Sequence, residues 1–276
     1  MSAVLSATAT RPDSRPPVIL IGGGVGPAAG VKFHDMLLRL TPGVTADRDH
    51  LDLIHFGRVS DMPDRTGFLN GGVTDNPGPA MARYMAPMAR ALTEEGRAWV
   101  AAVPCCTFHT PAIFDAFATD MAALPGHGTV LNLITETVAD ALALAGAPQR
   151  IGILSTRGSR RMGTWATPLA AAGLDPVELS LADADWMHDA IYHPGYGLKA
   201  VMPPDARAVD AILRGWEMLR ARGAEVLILG CTELSLVAPA LRAASAGVPA
   251  VLDPIEVLAQ RCVTLGQRPV TLAQVA

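Results

Sequence analysis

Trp99-Val100-Ala101-Ala102-Val103-Pro104-Cys105-Cys106-Thr107-Phe108-His109 is echoed by Val226-Leu227-Ile228-Leu229-Gly230-Cys231-Thr232-Glu233. Each stretch is an apolar run that ends in Cys and Thr. Each has the same lead-in, a helix-like segment closed by glycine: Ala91 to Gly96 in the first case, Glu217 to Gly223 in the second. The two cysteines lie 126 positions apart (231 − 105), close to half of the 276-residue chain. One supersecondary unit used twice, each time ending in a thiol, predicts two half-sites that face each other. Two thiols on opposite sides of one carbon can remove a proton and return one with inversion.

The bulk numbers narrow the classes. The chain is 50% hydrophobic and 17% charged, a globular composition with ample material for a core. The net charge is −4 and there is no basic run, which argues against nucleic acid as a partner. No apolar stretch approaches the roughly 20 residues of a membrane helix. Residues 1–17 are rich in Ala, Ser, Thr and Pro and read as a flexible tail rather than a secretory signal. The expected location is the cytoplasm. Four cysteines, 105, 106, 231 and 262, are too few for a disulfide framework at this length. Cys262 sits in an apolar helical pattern and reads as a core residue.

Strand-like and helix-like segments alternate along the chain. Val18 to Ile21, Leu51 to Phe56, Trp99 to Val103, Ile151 to Leu154 and Val226 to Leu229 read as strands. Val31 to Leu40, Met81 to Leu92, Val130 to Leu144 (running to Gly146), Ala206 to Arg222 and Pro254 to Leu265 read as helices, the last capped by Asp253. The stripe Met81, Met85, Met88 reads as core. The expected fold class is α/β: two similar domains with parallel sheets flanked by helices, related by a pseudo-twofold, with the active site in the cleft between them. The expected domains are 18–127 plus 249–276, and 128–248, with the crossover at Leu124-Pro125-Gly126-His127-Gly128. Ligands of such sheets bind beyond the carboxyl ends of strands, where Gly23-Gly24, Cys105, Ser155-Thr156 and Cys231 fall.

A thiolate is the useful base, and a helix N-terminus lowers a thiol's pKa. Both cysteines are expected at strand-to-helix turns. Cys105 lies nine positions after Gly96 and Cys231 eight after Gly223, so spacing alone leaves Cys105 and Cys106 both open as the first reactive thiol. Pro104 before Cys105 parallels Gly230 before Cys231 and favours Cys105. A metal site at Cys105, Cys106 and His109 lacks the second ligand pair of a structural zinc site. Gly24-Val25-Gly26-Pro27-Ala28-Ala29 fits the dinucleotide fingerprint, with Asp47 about 20 residues on. Pro27, however, removes a backbone donor that a pyrophosphate needs. A glycine turn that lets the backbone approach a small ligand is the competing reading. Arg65 and Lys199, taken singly, read as solvated charges, although Arg suits bidentate carboxylate binding. Glu233 reads as a helix cap or as a partner of Thr232.

Together these segments resemble the aspartate/glutamate racemase superfamily, and most closely its aspartate racemase-like branch. Gly23-Gly24-Val25-Gly26-Pro27 resembles the family's G-G-M-G-P opening, and Asp47-Arg48-Asp49-His50 its D-x-D-H segment. Pro63-Asp64-Arg65-Thr66 matches P-D-R-T, and Pro104 to His109 resembles P-C-N-T-x-H. Val130-Leu131-Asn132 resembles the V-L-N lead into the second domain. Ile191-Tyr192 with Gly197-Leu198-Lys199 resembles the segment bearing a substrate-binding lysine. Gly230 to Glu233 matches the second cysteine motif, and Asp253-Pro254 the start of the final helix.

The resemblance implies a cofactor-independent amino-acid racemase or epimerase for aspartate, glutamate or a related acidic amino acid, and a homodimer. Cys105 and Cys231 would be the acid and base. Thr107 and Thr232 would hold the α-carboxylate, and Arg65 and Lys199 a second carboxylate. Gly24, Cys106, Thr156 and Glu233 complete the expected substrate-binding set. No metal is expected. Three departures surround the expected substrate. Cys106 stands where the family has asparagine, the segment Phe56 to Ser60 lacks an asparagine, and the loop 192–197 is longer. The alternatives are a maleate isomerase-like or hydantoin racemase-like enzyme of the same fold, and a nucleotide-dependent α/β enzyme built on Gly24 to Ala29.

Overall fold

The computed structural model describes residues 15–144, 150–245 and 250–267. Most of the expected tail, and the expected helix stop at Gly146, lie outside these residues. Strands β1 (Val18–Gly22), β2 (Leu53–Phe56), β3 (Trp99–Ala102) and β4 (Gly128–Val130) form one parallel sheet in the order β2-β1-β3-β4. Strands β5 (Arg150–Leu154), β6 (Asp175–Glu178), β7 (Val226–Leu229) and β8 (Ala250–Leu252) form a second in the order β6-β5-β7-β8. The same strand order twice is the repeat foreseen from the two cysteine segments.

The alternation of side chains along each central strand sorts the core into three parts. In β1, Val18 and Leu20 face the outer side of the first sheet, where Met81, Met85, Phe108 and Phe117 pack. Ile19 and Ile21 face the other way. In β7, Leu227 and Leu229 face the outer side of the second sheet, with Met187, Ile212 and Trp216. Val226 and Ile228 turn back toward the first sheet. The inward-facing residues of both sheets meet in one cluster, joined by Phe33, Ile134, Val138, Leu258 and Cys262. These come from helices Pro27–Leu40, Leu133–Ala143 and Pro254–Gly266, which fill the space between the sheets. The two lobes therefore share a hydrophobic centre. Met81 and Met85 are fully buried as expected, whereas Met88 is exposed.

Two domain limits differ from the expectation. β4 pairs with β3, with Trp99 opposite Gly128 and Ala101 opposite Val130, so residues 128–130 belong to the first sheet. β8 pairs with β7, with Val226 opposite Ala250, so residues 250–252 belong to the second. Each expected boundary falls one strand too early. Three-residue edge strands carry too little apolar pattern to be seen in sequence, and Gly128 adds no side chain because the Trp99 ring fills that space. The final helix does pack on the first lobe, against Pro27–Leu40, β1 and β3. Among the described residues, no helix is long and apolar enough to cross a membrane.

Phe33 is fully buried in the cluster between the sheets. Phe33→Ala is expected to cost about 3–5 kcal/mol, read as a lower urea midpoint with an unchanged slope.

Candidate active site

Cys105 and Cys231 occupy equivalent places in the repeat. Each follows the central strand that neighbours the lobe's first strand, and each immediately precedes a 3-10 helix, Cys106–His109 or Thr232–Val237. Their backbones match: φ −152°, ψ 111° at Cys105 and φ −135°, ψ 132° at Cys231. The one-residue ambiguity of the sequence is absorbed before the cysteine, and Cys105, not Cys106, is the structural counterpart of Cys231. A ring N–H pins each strand end. His109 Nε2 lies 2.9 Å from the Val103 carbonyl, and Trp165 Nε1 donates to the Gly230 carbonyl at 3.1 Å. A carbonyl only accepts, so Nε2 carries the His109 proton.

Both cysteines open on one cavity of about 370 Å³, its mouth included. Arg65, Cys106, Thr107, Thr156, Lys199, Thr232 and Glu233 also line it. Nine of the ten residues expected from sequence are thus brought together from both lobes. The exception is Gly24, which lines an adjoining chamber of about 690 Å³. Asp64, Arg65, Lys199 and Glu233 border both spaces.

Charge is distributed unevenly around the two sulfurs. Glu233 is 2% exposed. Its Oε1 accepts from Lys199 Nζ, and its Oε2 lies 3.0 Å from Cys231 Sγ, which donates. Burial opposes the Glu233 charge, but Lys199 and the Cys231 hydrogen bond outweigh it and hold the carboxyl below its usual pKa. Burial also opposes the Lys199 ammonium, which Glu233 holds above the ordinary lysine value. Cys231 itself is raised well above the ordinary thiol value, first by burial and then by the Glu233 charge. This corrects the expectation that a helix start lowers it; a 3-10 helix of six residues does not offset a carboxylate at contact. Glu233 thus lines the cavity with Oε1 engaged by Lys199 and Oε2 by Cys231.

Arg65 begins helix Arg65–Leu69, which Asp64 caps by accepting from the Gly67 N–H. Its guanidinium donates to the Val25 carbonyl at 3.1 Å and to the Pro63 carbonyl at 3.4 Å. Burial works against its charge, but the neighbouring Cys105 sulfur and Asp64 keep its pKa above normal. Cys106 is 3% exposed and packs with the core between the sheets. Burial pushes its thiol well up.

Sequence reasoning missed three contributors, Tyr192, Asp64 and Trp165. Tyr192 lines the cavity, stacks on His188 at 4.5 Å, and has Lys199 Nζ 5.2 Å from its ring centre. Asp64 adds a second carboxylate to the lining. Trp165 and His109 act behind the site, on the carbonyls already named. Tyr192, beside a motif, and Asp64, inside one, left a signal, and His109 ends the first cysteine motif. The competing metal trio of Cys105, Cys106 and His109 is not assembled, since His109 points its Nε2 at a carbonyl. Among the described residues no group of three His, Cys, Asp or Glu is placed to hold an ion.

The glycine turn has a different use from nucleotide binding. Gly26 has φ 155°, and a Cβ there would lie 2.6 Å from Glu233 Oε1. The turn packs against a buried carboxylate, which would repel a pyrophosphate. Asp47 lies before β2, at the end of the strand opposite to where ligands bind.

Two repeated parallel sheets with strand-end cysteines converging on one interlobe cavity define a two-lobed α/β enzyme architecture. The sequence profile of the Asp/Glu/hydantoin racemase family matches residues 23–262, and the chain belongs to that family. Racemases are isomerases. The fold is similar to that of an aspartate racemase from Picrophilus torridus (22% identity, TM-score 0.69, covering 92% of this chain and 96% of that one). It is also similar to an aspartate racemase homologue from Pyrococcus horikoshii (18%, TM-score 0.63, 92% and 100%) and a glutamate racemase from Bacillus anthracis (15%, TM-score 0.55, 91% and 81%).

Two outcomes follow from the buried charges. Lys199→Met strands the Glu233 carboxylate and is expected to destabilise the fold, toward the lower end of roughly 3–5 kcal/mol because Lys199 keeps some exposure. The double change Lys199→Met, Glu233→Gln is expected to recover most of that loss in urea denaturation. Burial pushes His109 down to about 4 from 6.5. A lowered folded-state pKa gives stability that is present above pH 6.5 and lost as pH falls toward 4. His109→Phe is expected to remove this component, about 3 kcal/mol at full size, from the acid limb of a stability–pH profile.

Proposed function

We propose that the protein is a cofactor-independent amino-acid racemase for an acidic substrate, with Cys105 and Cys231 as the proton-transfer pair. The observation that carries this reading is the placement of both cysteines, at equivalent backbone positions of the two lobes, on a single cavity. One sulfur takes the α-proton as a thiolate. The other, as a thiol, delivers a proton to the opposite face of Cα, so that one proton is lost and one gained. The reverse reaction exchanges the roles.

In the resting enzyme we assign the thiol to Cys231, whose proton is held toward Glu233, and the base role to Cys105, which sits against the Arg65 guanidinium. Glu233 positions the Cys231 proton and balances Lys199. An amino acid's α-proton is weakly acidic, so the site must stabilise a developing carbanion. Thr107, Thr232 and the backbone N–H groups at the two 3-10 helix starts would bind the α-carboxylate and its enolate-like form. Holding two thiols on either side of one carbon supplies a further share of the rate. Arg65 and Lys199 supply the positive charge that a side-chain carboxylate requires, which favours aspartate or glutamate. All four cysteines are free, consistent with work in the reducing cytoplasm. A homodimer extends the family resemblance, and sedimentation tests it.

Each enantiomer of aspartate and glutamate, incubated separately in heavy water, is expected to exchange its α-hydrogen and yield its mirror image. Cys105→Ser and Cys231→Ser are each expected to lower turnover by about 10²–10⁴-fold. Unchanged turnover in either variant would move the chemistry to other residues. No exchange with any acidic amino acid would remove the substrate class. A stable thioether adduct seen by mass spectrometry would instead favour a maleate isomerase-like route.

A further inference from the structure

A second hollow, sharing no residue with the catalytic cavity, opens beside helix Arg157–Arg161. Its volume is about 810 Å³, mouth included, and its lining is Arg157, Arg160, Arg161, Glu178, Ala184 and Asp185. The charges do not cancel. Arg157 Nη1 pairs with Asp185 Oδ1 at 2.9 Å. Arg160 Nε stands 3.6 Å from Glu178 Oε2, beyond hydrogen-bond length. Arg161 makes no ion pair among the described residues. Three guanidiniums against two carboxylates leave the lining at a formal +1.

One donor of a residue that lines this hollow is also orphaned. Arg160 Nη1 is shielded from solvent and has no hydrogen-bond partner among the described residues. A buried charged N–H left without an acceptor is costly, and such groups in folded proteins almost always have one. A smaller hollow of about 200 Å³ continues inward from Arg160 and Glu178 to Ser155. We propose that the hollow is a binding site for a small polyoxygen anion, phosphoryl or dicarboxylate, seated on Arg160 and Arg161. Arginine's planar fork matches two oxygens at once. Asp185 and Glu178 restrict the site to compact ligands, because a longer anion would meet their charge.

The hollow is also close to the catalytic machinery. Thr156, which lines the catalytic cavity, caps the same helix by accepting from the Ser159 N–H at 3.2 Å. The Arg157 charge acts on His188, which stacks on Tyr192 at the cavity.

Calorimetric titration of the full chain with sodium pyrophosphate, and separately with disodium succinate, tests the proposal at constant ionic strength set with sodium chloride. Saturable binding of at least one is expected; pyrophosphate alone assigns a phosphoryl ligand and succinate alone a dicarboxylate. Arg161→Glu, an exposed change, is expected to weaken binding at least about tenfold, or 1.4 kcal/mol, without altering the melting temperature. Arg160→Gln is expected to act in the same direction. Arg65→Ala, in the catalytic cavity, is expected to leave this binding intact. The proposal is overturned if neither anion binds saturably, or if binding survives Arg161→Glu and disappears in Arg65→Ala. These outcomes do not depend on whether the chain racemises anything.

Discussion

The apolar centre shared by the two sheets is the constraint on which the cleft depends. Ile19, Ile21, Val100 and Ala102 of one sheet, and Ile151, Ile153, Val226 and Ile228 of the other, belong to a single buried cluster with the helices between them. Strand ends inherit their positions from that cluster. Because β3 and β7 are both central and both anchored there, the loops that leave them are fixed relative to each other. A site that needs two groups on opposite sides of one atom tolerates errors of well under an ångström. A shared core supplies that rigidity more directly than a hinge between independent domains.

Rigidity at the strand ends is reinforced by two side chains from outside the cavity. His109 and Trp165 each hold a carbonyl one or two residues before a cysteine. Both are almost fully buried, which removes competing water and strengthens the bond. The cost at His109 is a buried Nδ1 with no partner. That cost is consistent with a positioning role, since a phenylalanine would fill the same aromatic pocket beside Phe108 and Phe114 without it.

Much of this was legible in the sequence because the repeat is written in residue types that have few other uses together. An apolar run ending in Cys-Thr, twice, with a glycine-terminated helix before each, specifies central parallel strands and the groups at their ends. Of the four edge strands only β2 was legible. β4 and β8 are three residues long, and β6 contains Pro176 and two acids. At the site, residue identity gave membership of the cavity but not the pairing inside it. Glu233 was readable as a neighbour of Cys231. That its carboxylate would be buried and shared between Lys199 and the thiol depended on Gly26, from the opposite lobe, closing over it. Trp165 is far from any motif, and its hydrogen bond to Gly230 exists only once the second lobe is folded.

The site combines a symmetric backbone with asymmetric charge, and an enantiomer-exchanging enzyme has reason to use both. Mirror-image substrates present the same hydrogen to opposite faces, so the backbone that carries the two sulfurs should be nearly equivalent on either side, as the matched torsions at Cys105 and Cys231 are. In the proposed two-thiol exchange the protons cannot be equivalent. With both sulfurs charged there is no acid, and with both neutral there is no base. Glu233 breaks that tie on one side by favouring a thiol at Cys231, while the other sulfur, Cys105, has the Arg65 guanidinium beside it. In the proposed exchange the imbalance has to remain small, because each turnover would leave the pair in the opposite state, which must revert before the same enantiomer can react again. Lys199 limits it: by neutralising Glu233, it reduces the repulsion a thiolate at Cys231 would meet. Under the proposed mechanism the Lys199–Glu233 pair would therefore set the energy gap between the two protonation states as well as offer Lys199 to substrate.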